Sequence, residues 1–165
     1  MLAVASDPAM IESGFYLQAR RSGFSAHVSA DQRNLRRLRA LARRMLEDAG
    51  VGECTVEDAL LVLTELVANA VRACGDFAPL VVEAELTPCG IEITCHDPDP
   101  HHRPCRPGTA PDDPEAESGR GLFLLDALAP GWSVVRTPTG KQVRCCLPHA
   151  VPFPPLPHRE VESRW

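Results

Sequence analysis

The chain of 165 residues contains no apolar run approaching the ~18 residues that a membrane span needs. Its first thirty residues are broken by Asp7, Glu12 and arginines, so they hold no continuous apolar region of the secretory kind. A soluble, cytoplasmic protein with no membrane partner is expected. There is no excess of positive charge either: 17 Lys and Arg against 22 Asp and Glu leave a formal net charge of −5, which offers nucleic acid no attractive field. Direct nucleic-acid binding is disfavoured. The seven cysteines (54, 74, 89, 95, 105, 145 and 146) are odd in number and form no C-x-x-C pair, against a disulfide frame or a zinc site. Reduced thiols serving as small core residues are expected. No internal repeat is found, and the length suits one ordinary domain.

Proline is present but uneven. Of 16, six lie between Pro98 and Pro114 and five between Pro148 and Pro157, and neither stretch can continue a helix or a central strand. Residues 1–22 show no sustained period and read as a loosely ordered leader; 149–165 read as a proline-rich tail; the folded part is expected over 23–148. Within it, Phe24, Ala26 and Val28 alternate with polar neighbours and predict a half-buried strand. Asp31 is a candidate cap for an amphipathic helix over 33–49, where Leu35, Leu38, Leu41, Ala42, Met45 and Leu46 recur at three- and four-residue steps before Gly50. A second, more buried helix is predicted from a Thr55 cap through Ala73, stopped by Gly75. Leu80–Leu86 and Ile91–Cys95 predict a hairpin, Leu122–Leu128 a third helix, and Trp132–Val135 with Val143–Leu147 a final hairpin. Between Pro98 and Ser118 lies a loop far longer than the usual connection, of the kind that is functional or disordered. The order of elements predicts an α+β sandwich with helices covering one sheet face.

Three places carry chemistry. The second helix is apolar except for a stripe, Asp58, Glu65, Asn69 and Arg72, spaced 7, 4 and 3 and so projecting from one side. Glu65 and Asn69, one turn apart, pair a carboxylate base with an amide oxygen of the sort Mg²⁺ takes, although a solvated helix face has the same composition. Gly119-Arg120-Gly121-Leu122 allows close backbone approach at a helix start, where unpaired N–H groups favour a phosphate; a tight turn reads the same way. Asp97 closes a strand and is able to accept from a ligand amino group or simply to serve the turn. Arg36, Arg37, Arg39, Arg43 and Arg44 form either a solvated face or a docking face for acidic partners. His101, His102 and Cys105 have no second ligand pair nearby, so no metal other than Mg²⁺ is expected.

Taken in order, Glu65-Leu66-Val67-Ala68-Asn69-Ala70, the strand end Ile93 to Pro100, Glu117 to Leu122, and Gly140-Lys141-Gln142-Val143 resemble the Bergerat-fold (GHKL) ATP-binding superfamily, and within it the anti-sigma-factor serine/threonine kinase branch. The resemblance covers about 24–148. It implies a two-layer sandwich with a mixed, mostly antiparallel sheet, helices on one face and a long ATP lid over 99–118. It implies ATP and Mg²⁺ as cofactors, Asn69 on the metal, Glu65 as catalytic base, Asp97 on the adenine amino group, and Gly119, Arg120, Gly121 and Leu122 around the phosphates. It further implies phosphorylation of Ser or Thr on an antagonist (anti-anti-sigma) protein, control of sigma-factor sequestration, and a homodimer. Relatives carry glycine, histidine and tryptophan where this chain has Asp99, Ala73 and Arg144. The alternative is a nucleotide-gated interaction module without kinase activity. The detached catalytic domain of a histidine sensor kinase is a poorer fit, because no helical hairpin with a phosphoacceptor histidine precedes the nucleotide boxes.

Overall fold

A computed structural model describes residues 9–12, 14–102 and 119–149. Most of the expected lid and tail, 103–118 and 150–165, therefore lies outside the described residues, as do 1–8. Seven strands form one sheet: β1 (Ala9–Glu12), β2 (Phe15–Arg20), β3 (Gly23–Ser29), β4 (Pro79–Thr87), β5 (Gly90–Asp97), β6 (Ser133–Thr137) and β7 (Gly140–Leu147), in spatial order β1-β2-β3-β4-β5-β7-β6. Three helices, α1 (Gln32–Asp48), α2 (Glu53–Cys74) and α3 (Gly119–Leu128), complete the described fold. This is the expected α+β sandwich. All six strand pairings are antiparallel, so the parallel component of the expected mixed sheet does not occur among the described residues.

The leader is the main correction. Phe15, Leu17 and Ala19 alternate with Tyr16, Gln18 and Arg20, and pair residue for residue with β3, from Phe15 opposite Val28 to Arg20 opposite Gly23. Phe15 is fully buried. The period of two is present but only six residues long, and pairing with β3 supplies what the short stretch lacks alone. Helix α1 starts as its sequence dictates, with Asp31 Oδ1 accepting the Asn34 N–H at 2.7 Å. Asn34, buried at 5 % exposure, also donates to the Ser29 carbonyl at 2.8 Å, tying α1 to the end of β3. Helix α2 begins two residues before the expected cap: Gly52 is the N-cap, its carbonyl accepts the Val56 N–H at 3.0 Å, and Thr55 lies in the first turn.

One sheet face carries the core. Phe24, Ala26 and Val28 of β3, Leu80, Val82 and Ala84 of β4, Ile91, Ile93 and Cys95 of β5 and Val143, Cys145 and Leu147 of β7 alternate inward against Leu60, Leu63, Leu66 and Val67 of α2. Cys95 and Cys145 fill the expected small-residue role, and burial pushes both thiols up, that of Cys145 to about 12. Cys54 and Cys89 are exposed, which corrects the core assignment for those two. No described helix is long and apolar enough to cross a membrane.

Candidate functional site

Polar side chains gather at two levels along α2. At the first, Arg72 donates through Nη2 to Glu65 Oε1 at 2.5 Å and to Asn69 Oδ1. Three of the four residues predicted as a stripe are therefore brought together; Asp58, seven residues before Glu65, is not part of this hydrogen-bonded cluster. Because a guanidinium only donates, the atom it meets on Asn69 is the oxygen. That leaves Nδ2 as a buried donor with no hydrogen-bond partner among the described residues. Such a group is normally satisfied, so an unmatched one asks for an acceptor.

The second level lies where α2 ends over the sheet. Asp97 is in phase with Ile91, Ile93 and Cys95, and Lys141 with Val143, Cys145 and Leu147, so both charges continue the apolar inward rows. They are also register partners across β5 and β7. Lys141 Nζ lies 2.8 Å from Asp97 Oδ1, and both side chains are 3 % exposed. Lys141 also donates to the Asp99 carbonyl at 2.9 Å. Asp97 Oδ1 additionally accepts the Asp99 N–H at 3.0 Å and the Cys74 thiol at 3.6 Å; Oδ2 takes none of these. Desolvation pushes the Cys74 thiol up, and the Asp97 charge adds to it. Asp99 is held below the ordinary carboxylate range, first by the His101 N–H and then by that of His102 and by Lys141.

Close approach of the two strand ends requires Gly140. Its φ is +151°, and a Cβ there would stand 1.9 Å from the Asp97 carbonyl oxygen. Asn69 and Cys74, five residues apart, separate the two levels by about 7.5 Å along one helix. Gly119, Arg120, Gly121 and Leu122 are the first four residues of α3, one turn earlier than predicted, so their backbone N–H groups lie at its positive end. Helix α3 packs beside α2 and is anchored by the fully buried Leu125 and Ala129.

Lys141 lies in the Gly140–Val143 segment, where the sequence alone assigns it no role. The signal was available: it is the only lysine in 165 residues, and it stands in phase with three apolar residues. A cleft of about 410 Å³ also exists on the opposite, open sheet face, lined by Tyr16, His27, Val81, His96, Pro98 and Thr139 among others. It contains none of the polar residues just described. The arginine face is largely engaged: Arg39 donates to Thr64 Oγ1 at 2.6 Å and to the Leu60 carbonyl, Arg43 pairs with Glu57, and Arg37 lies over the Phe15 ring.

Antiparallel strands backed by helices, with a carboxylate–amide pair on one helix and a buried aspartate beneath its end, make up an α+β sandwich with polar groups gathered at one end of α2. Residues 28–147 match the histidine kinase-like ATPase domain family, and the chain belongs to it, within the GHKL superfamily. It is also 38% identical over 84 residues to an uncharacterized protein of Streptomyces coelicolor, a match covering 50% of this chain and 78% of that one. Strands β1 and β2 lie outside the family match and extend the sheet beyond β3. Membership indicates an ATP-binding, kinase-like domain with a regulatory role.

Proposed function

We propose that this protein binds Mg·ATP and transfers its terminal phosphoryl group to a Ser or Thr hydroxyl of a small antagonist protein, and that this step controls sequestration of a sigma factor. The observation that carries the reading is the Glu65–Asn69–Arg72 cluster. A resident cation, the Arg72 guanidinium, already sits on the Asn69 oxygen that a hard metal ion would take and on the Glu65 carboxylate beside it, and the adjacent Asn69 Nδ2 lacks an acceptor of the kind a phosphate oxygen supplies. These residues fit Mg²⁺ with Asn69 Oδ1 as the ligand; when bound, the ion neutralises charge on the phosphate chain. Glu65, on the same face one turn away, would orient the attacking hydroxyl and take its proton. Asp97 would accept from the adenine amino group through Oδ2. The N–H groups of Gly119 to Leu122 at the start of α3 would hold phosphate oxygens. A homodimer associating through the sheet belongs to the same proposal.

Incubation with labelled ATP and candidate antagonists tests the reading. Label transferred to a Ser or Thr and lost in Glu65→Gln supports it. The alternative, a nucleotide-gated interaction module, is favoured by one feature: the Glu65 carboxylate is engaged by Arg72 rather than free to act as a base. ATP binding with no transfer to any antagonist, and Glu65→Gln behaving as wild type, would establish the module instead.

A further inference from the structure

We propose that Lys141 is a second base-recognition residue, which with Asp97 reads the Watson–Crick edge of adenine and sets the preference for adenine over guanine and hypoxanthine nucleotides. The proposal rests on the nucleotide reading above and deepens it. A lysine ammonium has three donors and no acceptor. Two are used, on Asp97 Oδ1 and on the Asp99 carbonyl. No described residue takes the third, and at 3 % side-chain exposure water offers little substitute. On Asp97, Oδ1 holds Lys141, the Asp99 N–H and the Cys74 thiol, while Oδ2 is left to accept. The pair thus offers one acceptor beside one donor. Adenine presents the complement, an N6 amino donor beside the N1 acceptor. Guanine and hypoxanthine present O6 as acceptor beside an N1–H donor, which mismatches both positions. A buried polar site rejects a mispaired ligand strongly because its own groups are left unpaired.

The experiment is competition binding of ATP, ITP and 1-deaza-ATP, in which N1 is replaced by C–H, to the full chain and to Lys141→Met. Wild type should bind 1-deaza-ATP roughly 10- to 100-fold more weakly than ATP, the range for a hydrogen bond from a charged donor, and ITP more weakly still. In Lys141→Met the ATP to 1-deaza-ATP ratio should fall to near one. A purely structural lysine would lower both affinities alike and leave the ratio unchanged, which overturns the proposal. Because the chain has one lysine, its single Nζ resonance gives a reading that needs no variant: ATP should shift it more than 1-deaza-ATP does, and equal shifts overturn the assignment. Wild type that binds ATP and 1-deaza-ATP equally refutes the Lys141 role alone. Wild type that binds none of the three refutes the nucleotide reading itself.

Discussion

Replacing Lys141 by methionine removes a charge without much change of shape, and the buried pair makes the consequence large. The ion pair is 2.8 Å long with both side chains 3 % exposed, so it cannot be treated as a surface bridge worth a few tenths of a kcal/mol. Lys141→Met strands the Asp97 carboxylate among Cys95, Cys74 and the apolar rows of β5 and β7. Breaking a buried pair in this way costs about 3–5 kcal/mol. Over a unit the size of the family match, 28–147, the unfolding entropy is about 0.25 kcal/mol/K, and the loss corresponds to a fall in Tm of about 12–20 °C. Adding Asp97→Asn should restore most of it, because the amide oxygen still accepts the Asp99 N–H without leaving a charge unpaired. The assay is thermal and urea denaturation of wild type, both single variants and the double, followed by circular dichroism at neutral pH. A double variant no more stable than Lys141→Met, or a Lys141→Met loss under about 1 kcal/mol, would show that water reaches the pair and that it behaves as a surface bridge.

Asn69→Ala should keep the fold, since the side chain lies at the partly exposed edge of α2, yet lose the magnesium-dependent part of ATP binding; titration calorimetry with and without Mg²⁺ checks this. Glu65→Gln should lower phosphoryl transfer about 10²- to 10⁴-fold while ATP affinity stays within a small factor, measured by single-turnover transfer and nucleotide titration. Gly140→Ala should destabilise by more than about 1 kcal/mol and weaken ATP binding together, because the new Cβ displaces the Asp97 carbonyl; urea midpoints and ATP titration report both. For pH, the thiols of Cys145, raised to about 12, and Cys95, also raised, stay neutral in the fold. Their stabilisation is complete below the unfolded value near 9 and is lost as pH rises towards the folded values, by about 1.4 kcal/mol per unit per thiol. Urea midpoints should therefore fall between pH 9 and 10.5, and Cys145→Ala should flatten that fall.

Most elements were legible because their periodicity was long. The alternation in β3, the 17-residue amphipathic pattern of α1 and the two-residue turns between β4 and β5 and between β6 and β7 each carry their own signal. The failures have local causes. Strand β2 is only six residues, and its pairing with β3 decides its state more than its own pattern does. The start of α2 differs from the sequence expectation because Thr55 is a better cap by composition than Gly52, whereas extended backbone at Gly52 closes the first turn. Of the site, the Glu65–Asn69–Arg72 cluster could be read from helical spacing alone. The Asp97–Lys141 pair could not, because it joins residues 44 apart whose meeting is set by the β5–β7 register. A charge standing in phase with core residues was the visible clue at Lys141.

The arginines of α1 acquire a role from this geometry that differs from a docking face. Arg39 grips Thr64 and the Leu60 carbonyl, and Arg43 pairs with Glu57, so α1 pins the first half of α2 from outside the sheet. Leu63, Leu66, Val67 and Ala70 pin the second half against β5 and β7. A helix fixed at both ends keeps the rise between Asn69 and Cys74 constant, and Cys74 touches Asp97 directly. The spacing between the Glu65–Asn69 level and the Asp97–Lys141 level is therefore set by helix geometry rather than by flexible side chains. On that account, loosening the α1–α2 contact through Arg39 should weaken nucleotide binding at both levels at once, although Arg39 itself touches neither.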